Sequence, residues 1–423
     1  MARLHVLARL AAAQAERASA DLLRQVRTVE EVQGPHVVIG GRRLLNFASN
    51  DYLGLAQHPA VREALVRAAV RWGVGATAAH LLGGHREEHA QLEEKLAHWT
   101  GRERALLFST GYMANMGVLS ALLREGDVCI QDKLNHACLI DGARLAGCEL
   151  KRYVHGDVDS ARRQLQSRPD AAALLATDGV FSMDGDVAPL TGLAELCRCE
   201  GATLMIDDAH GIGVHGPDGA GSAAAAGLAP SDAPILMATL GKALGVCGAF
   251  VAGSAALIDG LIQFARTHVY TTAPPPALAA AVSAAVDAAR FETWRRDKLQ
   301  QLIAHLRAGA AQRGIDLLPS ATPIQPVSIG ASAAAMEAAQ RLEDAGFFVP
   351  AIRPPTVADG AARLRITLTA LHAEADVEHL LNALAVTLAK HHPGRKPSRG
   401  TTVRRAGHAR ATSRRSHAGS AGE

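Results

Sequence analysis

Lys242 follows Gly241 in the apolar stretch ILMATLGKALG, and polar residues close several other apolar runs of this chain in the same way. LMIDDAHGIG carries Asp207, Asp208 and then His210; FSMDGD carries Ser182; STGYMAN carries Gly111 and Tyr112; ATLGK carries Thr239 beside Lys242 itself. A Gly-Lys pair suggests a phosphate loop, but that loop needs a glycine five positions before its Gly-Lys, where this chain has Leu236. Spacing therefore excludes it. Singly, these residues have plain uses: a lysine is a solvated surface charge, Asp207 a helix N-cap, Asn50 and Asp51 turn formers. Together they converge on one crevice if the apolar runs are parallel strands, because open α/β sheets bind ligands at the carboxyl ends of their strands.

Each residue type has a task if the ligand is pyridoxal 5'-phosphate. A lysine desolvated near a positive ring nitrogen is available as an amine to form a Schiff base with the aldehyde. Asp207, paired with the pyridinium nitrogen, keeps that nitrogen protonated and makes the ring an electron sink. It precedes Lys242 on a separate run, as it must to reach the other side of the ring. The phosphate needs N–H groups at a helix N-terminus plus hydroxyls, which Gly111, Tyr112 and Thr239 supply.

The elements that must position these groups lie between about residues 100 and 255. RALLFS (104–109), DVCIQD (127–132), AALLATDG (172–179), TLMIDDA (203–209), ILMATL (235–240) and GAFVAG (248–253) read as strands, most of them separated by room for a crossover helix. That alternation predicts an α/β domain, a mostly parallel central sheet with helices on both faces. The short link before GAFVAG predicts an antiparallel strand. After a long helical region (276–313), IQPVSIG, FFVPAI and RLRITLT read as strands beside helices at 333–345 and 375–390, a smaller α+β C-terminal domain. The expected division is an N-terminal helix and arm (1–50), a large α/β domain (51–290), a small domain (291–392) and a basic tail (393–423).

At 423 residues with 48% hydrophobic content, the chain can bury a large core. No apolar run approaches the ~20 residues needed to span a bilayer, so a membrane is not an expected partner. The N-terminus, MARLHVLARLAAAQAERASADLLR, has no signal-peptide h-region and reads as an amphipathic helix of the mature protein. The six cysteines form no C-x-x-C pair, which suits a reducing compartment and makes the cytoplasm the default. The net charge of +3 hides an asymmetry: from Lys390 onward nine Lys/Arg face one acid, so the tail carries +8 and the rest −5. The tail is rich in Gly, Ser and Arg with almost no apolar residues, a composition that predicts disorder. It lacks interleaved aromatics and any binding module, which argues against nucleic acid as a partner.

The chain resembles the α-oxoamine synthase family of fold type I pyridoxal-phosphate enzymes. The resemblance rests on LNFASNDYLGL (45–55), STGYMAN (109–115), DKLNHACLIDGARLAG (132–147), FSMDGDVAPL (181–190), MIDDAHGIGVHG (205–216), TLGKALGVCGAF (239–250) and AIRPPTVADGAARLRITLTA (351–370), and it spans residues 20 to 390. It implies Lys242 as Schiff-base lysine and catalytic base, Asp207 on the pyridine nitrogen, and His210 and Ser182 on the ring's phenolic oxygen. It further implies that His136 stacks on the ring and meets the incoming thioester carbonyl. Asn50 and Arg365 resemble the clamp on the amino-acid carboxylate; Arg24 and Thr356 match contacts to the acyl substrate. The family shares its site across a homodimer, which implies that Thr271 or Thr272 reaches a neighbouring subunit's phosphate. Cys247 stands where smaller residues are more usual, with no catalytic implication. The stretch IRPPTV favours the member that condenses L-alanine with a pimeloyl thioester, of CoA or of acyl-carrier protein, in biotin biosynthesis; glycine with acetyl-CoA is the alternative.

One rival chemistry has its own signature. HREEH (85–89) matches H-x-x-E-H, which would place His85 and His89 on one helix face as zinc ligands with Glu88 as base. The same stretch also fits the family's helix at this position, and that reading assigns no metal.

Overall fold

The computed structural model describes residues 5–20 and 22–389. The N-terminal sequence forms the helix Val6–Ser19, which buries none of its residues. Three short strands follow, β1 (Glu31–Gln33), β2 (His36–Ile39) and β3 (Arg42–Asn46), inside a region expected to be only helix and arm. Their brevity hides them in the sequence, and in β3 the exposed Arg42 and Arg43 carry no clear alternation.

The central sheet has seven strands: β4 (Arg104–Phe108), β5 (Val128–Asp132), β6 (Glu149–Tyr153), β7 (Ala173–Asp178), β8 (Thr203–Asp207), β9 (Ile235–Thr239) and β10 (Ala249–Gly253), in spatial order β4-β10-β9-β8-β7-β5-β6. β10 runs antiparallel to both neighbours, and the other pairs are parallel. Two antiparallel steps restore the direction, so β4, β5, β7, β8 and β9 all end at one edge. Strand β6, ELKRY, was not foreseen. It is an edge strand with Lys151 and Arg152 in its middle, which blunts the edge against further pairing and erases the apolar signal.

Side chains alternate between the two faces, as the period of a strand requires. On β8, Leu204 and Ile206 join the core beneath the helices Val158–Gln166 and Leu190–Glu200, while Met205 points into the core beneath Gly111–Leu122 and Ala137–Ala146.

The helical region from 276 divides into Pro276–Phe291 and Trp294–Gln312. Beyond it come β11 (Ile324–Gly330), β12 (Phe347–Phe348), β13 (Ala351–Ile352) and β14 (Ala362–Thr367), with helices Ser332–Asp344 and Glu374–Ala389. FFVPAI is thus two strands. Phe347 and Phe348 pair in parallel with β3, whereas Ala351 and Ile352 pair with β14. Pro350 between them has no N–H to give a ladder, and its carbonyl accepts from Arg365 N at 3.0 Å. The N-terminal strands therefore share a sheet with the C-terminal region, β1-β2-β3-β12, beside the three-stranded β11-β14-β13. Among the described residues no helix is long and apolar enough to cross a membrane. The basic tail lies outside the described residues.

Candidate active site

Asp178 and Asp207 are the last residues of β7 and β8, and Thr239 is the last of β9. Beside them β4 turns into the helix Gly111–Leu122, whose N-cap Thr110 accepts from Met113 N at 3.1 Å. That cap leaves the N–H groups of Gly111 and Tyr112 without intrahelical acceptors, a ready site for an anion. A cavity of ≈ 180 Å³ opens here. Eight predicted residues line it: Gly111, Tyr112, His136, Ser182, Asp207, His210, Thr239 and Lys242.

Lys242 Nζ lies 2.9 Å from His210 Nε2. Burial lowers the Lys242 pKa from its ordinary value, with Asp207 and Asp178 opposing that shift. His210 is pushed well below the usual histidine range, first by burial and then by the nearby Lys242 and Arg365 charges. Asp207 is oriented through both oxygens: Oδ2 accepts from Asn115 Nδ2 at 2.6 Å and Oδ1 from Ala209 N at 3.0 Å. Burial, reinforced by Asp207, holds Asp178 well above the usual carboxylate range. Asp178 in turn accepts from His136 N at 3.2 Å.

His136 caps the helix Ala137–Ala146. Its Nδ1 accepts from Cys138 N at 3.3 Å and lies 2.8 Å from Cys138 Sγ. Burial raises the Cys138 thiol, so it remains a neutral S–H donor. Burial also lowers His136, despite Asp207 nearby. A neutral imidazole whose Nδ1 accepts carries its proton on Nε2.

Arg365, on β14, reaches over from the C-terminal region. Its Nη1 and Nη2 each lie 3.3 Å from Asn50 Oδ1, and Nε donates to Ser182 O at 2.7 Å. The loop bearing Ser182 is held from below as well. Gly185 has φ +76°, and a Cβ there would sit 2.3 Å from Ile324 O, so only glycine allows this approach to β11.

The remaining predicted residues lie outside the cavity. Arg24 and Thr356 are exposed, but Arg353 Nη2 donates to Leu23 O at 2.6 Å and Arg353 O accepts from Thr356 N, which brings their two segments together. Thr272 forms an isolated bridge with Ala79, and neither it nor Thr271 reaches the cavity of its own chain. Two other predicted groups are committed locally. The Tyr112 hydroxyl donates to Asp141, and the Thr239 hydroxyl donates to Gly248 O at 3.0 Å.

Asn115, Cys138 and Asp178 line the cavity without having been singled out. Asn115 had a readable signal, because it stands one helical turn after Gly111 and so shares its face. The zinc arrangement does not form: His89 Nε2 lies 2.8 Å from Pro274 O, and its Nδ1 accepts from Arg86 N at 2.9 Å, which leaves no lone pair for a metal. Among the described residues no group of three His, Cys, Asp or Glu could hold a metal ion. An amine, a carboxylate across from it, and an anion-accepting helix start form a donor set that fits pyridoxal 5'-phosphate.

The chain matches the aminotransferase class I and II family over residues 42–384. It is 55% identical over 379 residues to the 8-amino-7-oxononanoate synthase of Pseudomonas putida strain F1, covering 89% of this chain and 96% of that protein. It is 51% identical over 380 residues to the protein of the same name from Cellvibrio japonicus, covering 90% and 96%. Among solved structures, a serine palmitoyltransferase from S. paucimobilis with a bound PLP–myriocin aldimine superimposes with TM-score 0.87 at 27% identity, over 92% of this chain and 99% of that one. An 8-amino-7-oxononanoate synthase from Francisella tularensis does so with TM-score 0.73 at 28% identity, over 82% and 99%.

Proposed function

Because the chain belongs to the class I and II aminotransferase family, and within it to the 8-amino-7-oxononanoate synthases, we propose that it uses pyridoxal 5'-phosphate to condense L-alanine with a pimeloyl thioester. The products are 8-amino-7-oxononanoate, CO2 and the free thiol of CoA or acyl-carrier protein, a step of biotin synthesis. The observation that carries this reading is Lys242, an amine of lowered pKa in a cavity bounded by Asp207, with the Arg365–Asn50 clamp at its rim.

When bound, the cofactor supplies an electron sink for charge developing at the alanine Cα. The chain's residues do the rest. Lys242 would provide the amine that holds the cofactor aldehyde and, once the amine of alanine has displaced it, would take the Cα proton. Arg365 and Asn50 fix the alanine carboxylate, which sets the Cα–H bond in line for that transfer. Asp207 would pair with the ring nitrogen, and Ser182 and His210 would hold the phenolic oxygen. The Nε2–H of His136 donates to the thioester carbonyl as the acyl group arrives. Gly111, Tyr112 and Thr239 receive the phosphate, and Arg24 and Thr356 receive the acyl chain. We place two copies around a shared site, with Thr271 or Thr272 reaching the neighbour's phosphate. A large cofactor-binding domain at 51–290 and a smaller one at 291–392 form each copy. The six cysteines are all free thiols, which supports a cytoplasmic setting.

The test crosses alanine and glycine against pimeloyl, acetyl and palmitoyl thioesters and measures CO2 and thiol release. Alanine with pimeloyl thioester should dominate, and glycine should lose ~1–3 kcal/mol for its missing methyl. A preference for glycine with acetyl-CoA would move the chain to glycine C-acetyltransferase chemistry. Borohydride trapping of bound cofactor should mark Lys242, and Lys242→Ala should abolish both label and turnover. A label on any other lysine overturns the assignment.

A further inference from the structure

A hydrogen-bonded path joins Arg365 to Lys242 through Tyr52, a side chain for which the proposed reaction gives no task. Tyr52 is fully buried, and its backbone is anchored where Ala370 N donates to its carbonyl at 2.8 Å. Its Oη lies 2.6 Å from His210 Nδ1 and 3.3 Å from Asn50 Oδ1. The other ring nitrogen of His210 faces Lys242 Nζ at 2.9 Å.

We propose that Tyr52 is a positioning residue that fixes His210 as the tautomer carrying its proton on Nε2, directed at Lys242. The inference rests on the reading of Lys242 as the amine that holds the cofactor. A phenol has a single proton, so the geometry decides where it goes. Asn50 Oδ1 already faces two guanidinium nitrogens of Arg365, and the His210 contact is the shorter by far. Arg365, whose charge is felt at the phenol, only donates and so offers that proton no acceptor, which leaves His210 Nδ1 as the near one. Burial pushes the Tyr52 hydroxyl up to about 12, so the proton stays on the oxygen near neutrality. A donor at Nδ1 places the imidazole proton on Nε2.

That proton matters because only a neutral amine has a lone pair to receive it. The opposite tautomer would accept from a Lys242 ammonium and hold it charged. Tyr52 thus biases Lys242 toward the free amine. Other groups act on the same nitrogen: Asp207 and Asp178 favour its charged form, Arg365 opposes it, and Cys138 and His136 face the same space from the helix Ala137–Ala146.

The test uses the full chain without cofactor. Competitive acetylation of Lys242 by acetic anhydride, read by peptide mass across pH, gives the midpoint at which the amine becomes free. Tyr52→Phe should raise that midpoint by one pH unit or more, tenfold less free amine below it. In an His210→Ala background the same substitution should add no further shift, since Tyr52 acts through His210. Coincident profiles for the parent chain and Tyr52→Phe, or equal shifts with and without His210, would overturn the proposal. Should Tyr52→Phe fail to fold, the parent chain still decides. In its 15N-histidine spectrum His210, assigned by its loss in His210→Ala, should show an unprotonated Nδ1 and a protonated Nε2; the reverse pattern refutes the role. No cofactor enters these measurements, so their outcome is separate from the trapping experiment that tests the function.

Discussion

At the scale of single residues, Asp207 separates an electronic task from a structural one. Its two oxygens accept from Asn115 and Ala209, contacts that an asparagine side chain keeps only in part and without charge. Asp207→Asn should therefore remain folded while alanine Cα–H exchange in D2O slows on the order of 10²-fold or more, because the charge proposed to face the ring nitrogen is gone. Exchange at the parent rate would show that Asp207 has another task. The residues that line the cavity were largely legible from sequence, because most of them follow an apolar run that had to be a strand. What escaped was support: Tyr52, Asn115 and Asp178 touch His210, Asp207 and His136 across 42 to 158 positions, and of these only Asn115, one turn after Gly111, left a local trace.

Elements place these residues, and the FSMDGD loop after β7 shows how. From one side Arg363 bonds Asp184 at 2.6 Å and Arg365 bonds Ser182 O. From the other, His155 bridges Asp132 at 3.0 Å and Asp186 at 2.8 Å. Those two carboxylates raise His155 to about 10 from the ordinary 6.5. The folded state thus binds this proton more tightly than the unfolded chain does. Its contribution is fully present below the ordinary value and is lost as pH rises through about 10. His155→Gln should cost about 1.5–3 kcal/mol near pH 6. The gap to the parent chain, followed by thermal unfolding, should close toward pH 10; a gap that widens with pH contradicts the bridge. Element types were readable wherever the apolar run was continuous and clearly bounded, as in β7, β8 and β9. β6 and β1 to β3 were not, because all four are only three to five residues long, and β6 and β3 carry charge in place of apolar residues.

For the molecule as a whole, the question is where the chain stops being needed. The helix Glu374–Ala389 buries Val377, Leu380, Leu381 and Leu384 against the C-terminal core. Burial of such side chains contributes about 1.5–3 kcal/mol each, which together is comparable to the whole stability of a domain, ~5–15 kcal/mol. A chain ended before this helix, at Ala373, should therefore not fold. From Lys390 onward the sequence offers charge in place of apolar anchors, +8 against −5 on the remainder. Attraction between opposite charges at a surface is screened within about 10 Å at 0.1 M salt, so it adds little to a core already closed. A chain ended at His392 should keep kcat and KM for alanine and pimeloyl thioester within about twofold and unfold within a few degrees of the full chain, the margin that a change of about 1 kcal/mol produces. Loss of most activity at 0.1 M salt or above would mean that the basic segment takes part in binding the acidic acyl carrier, and the same kinetics repeated across a salt series would locate that contribution.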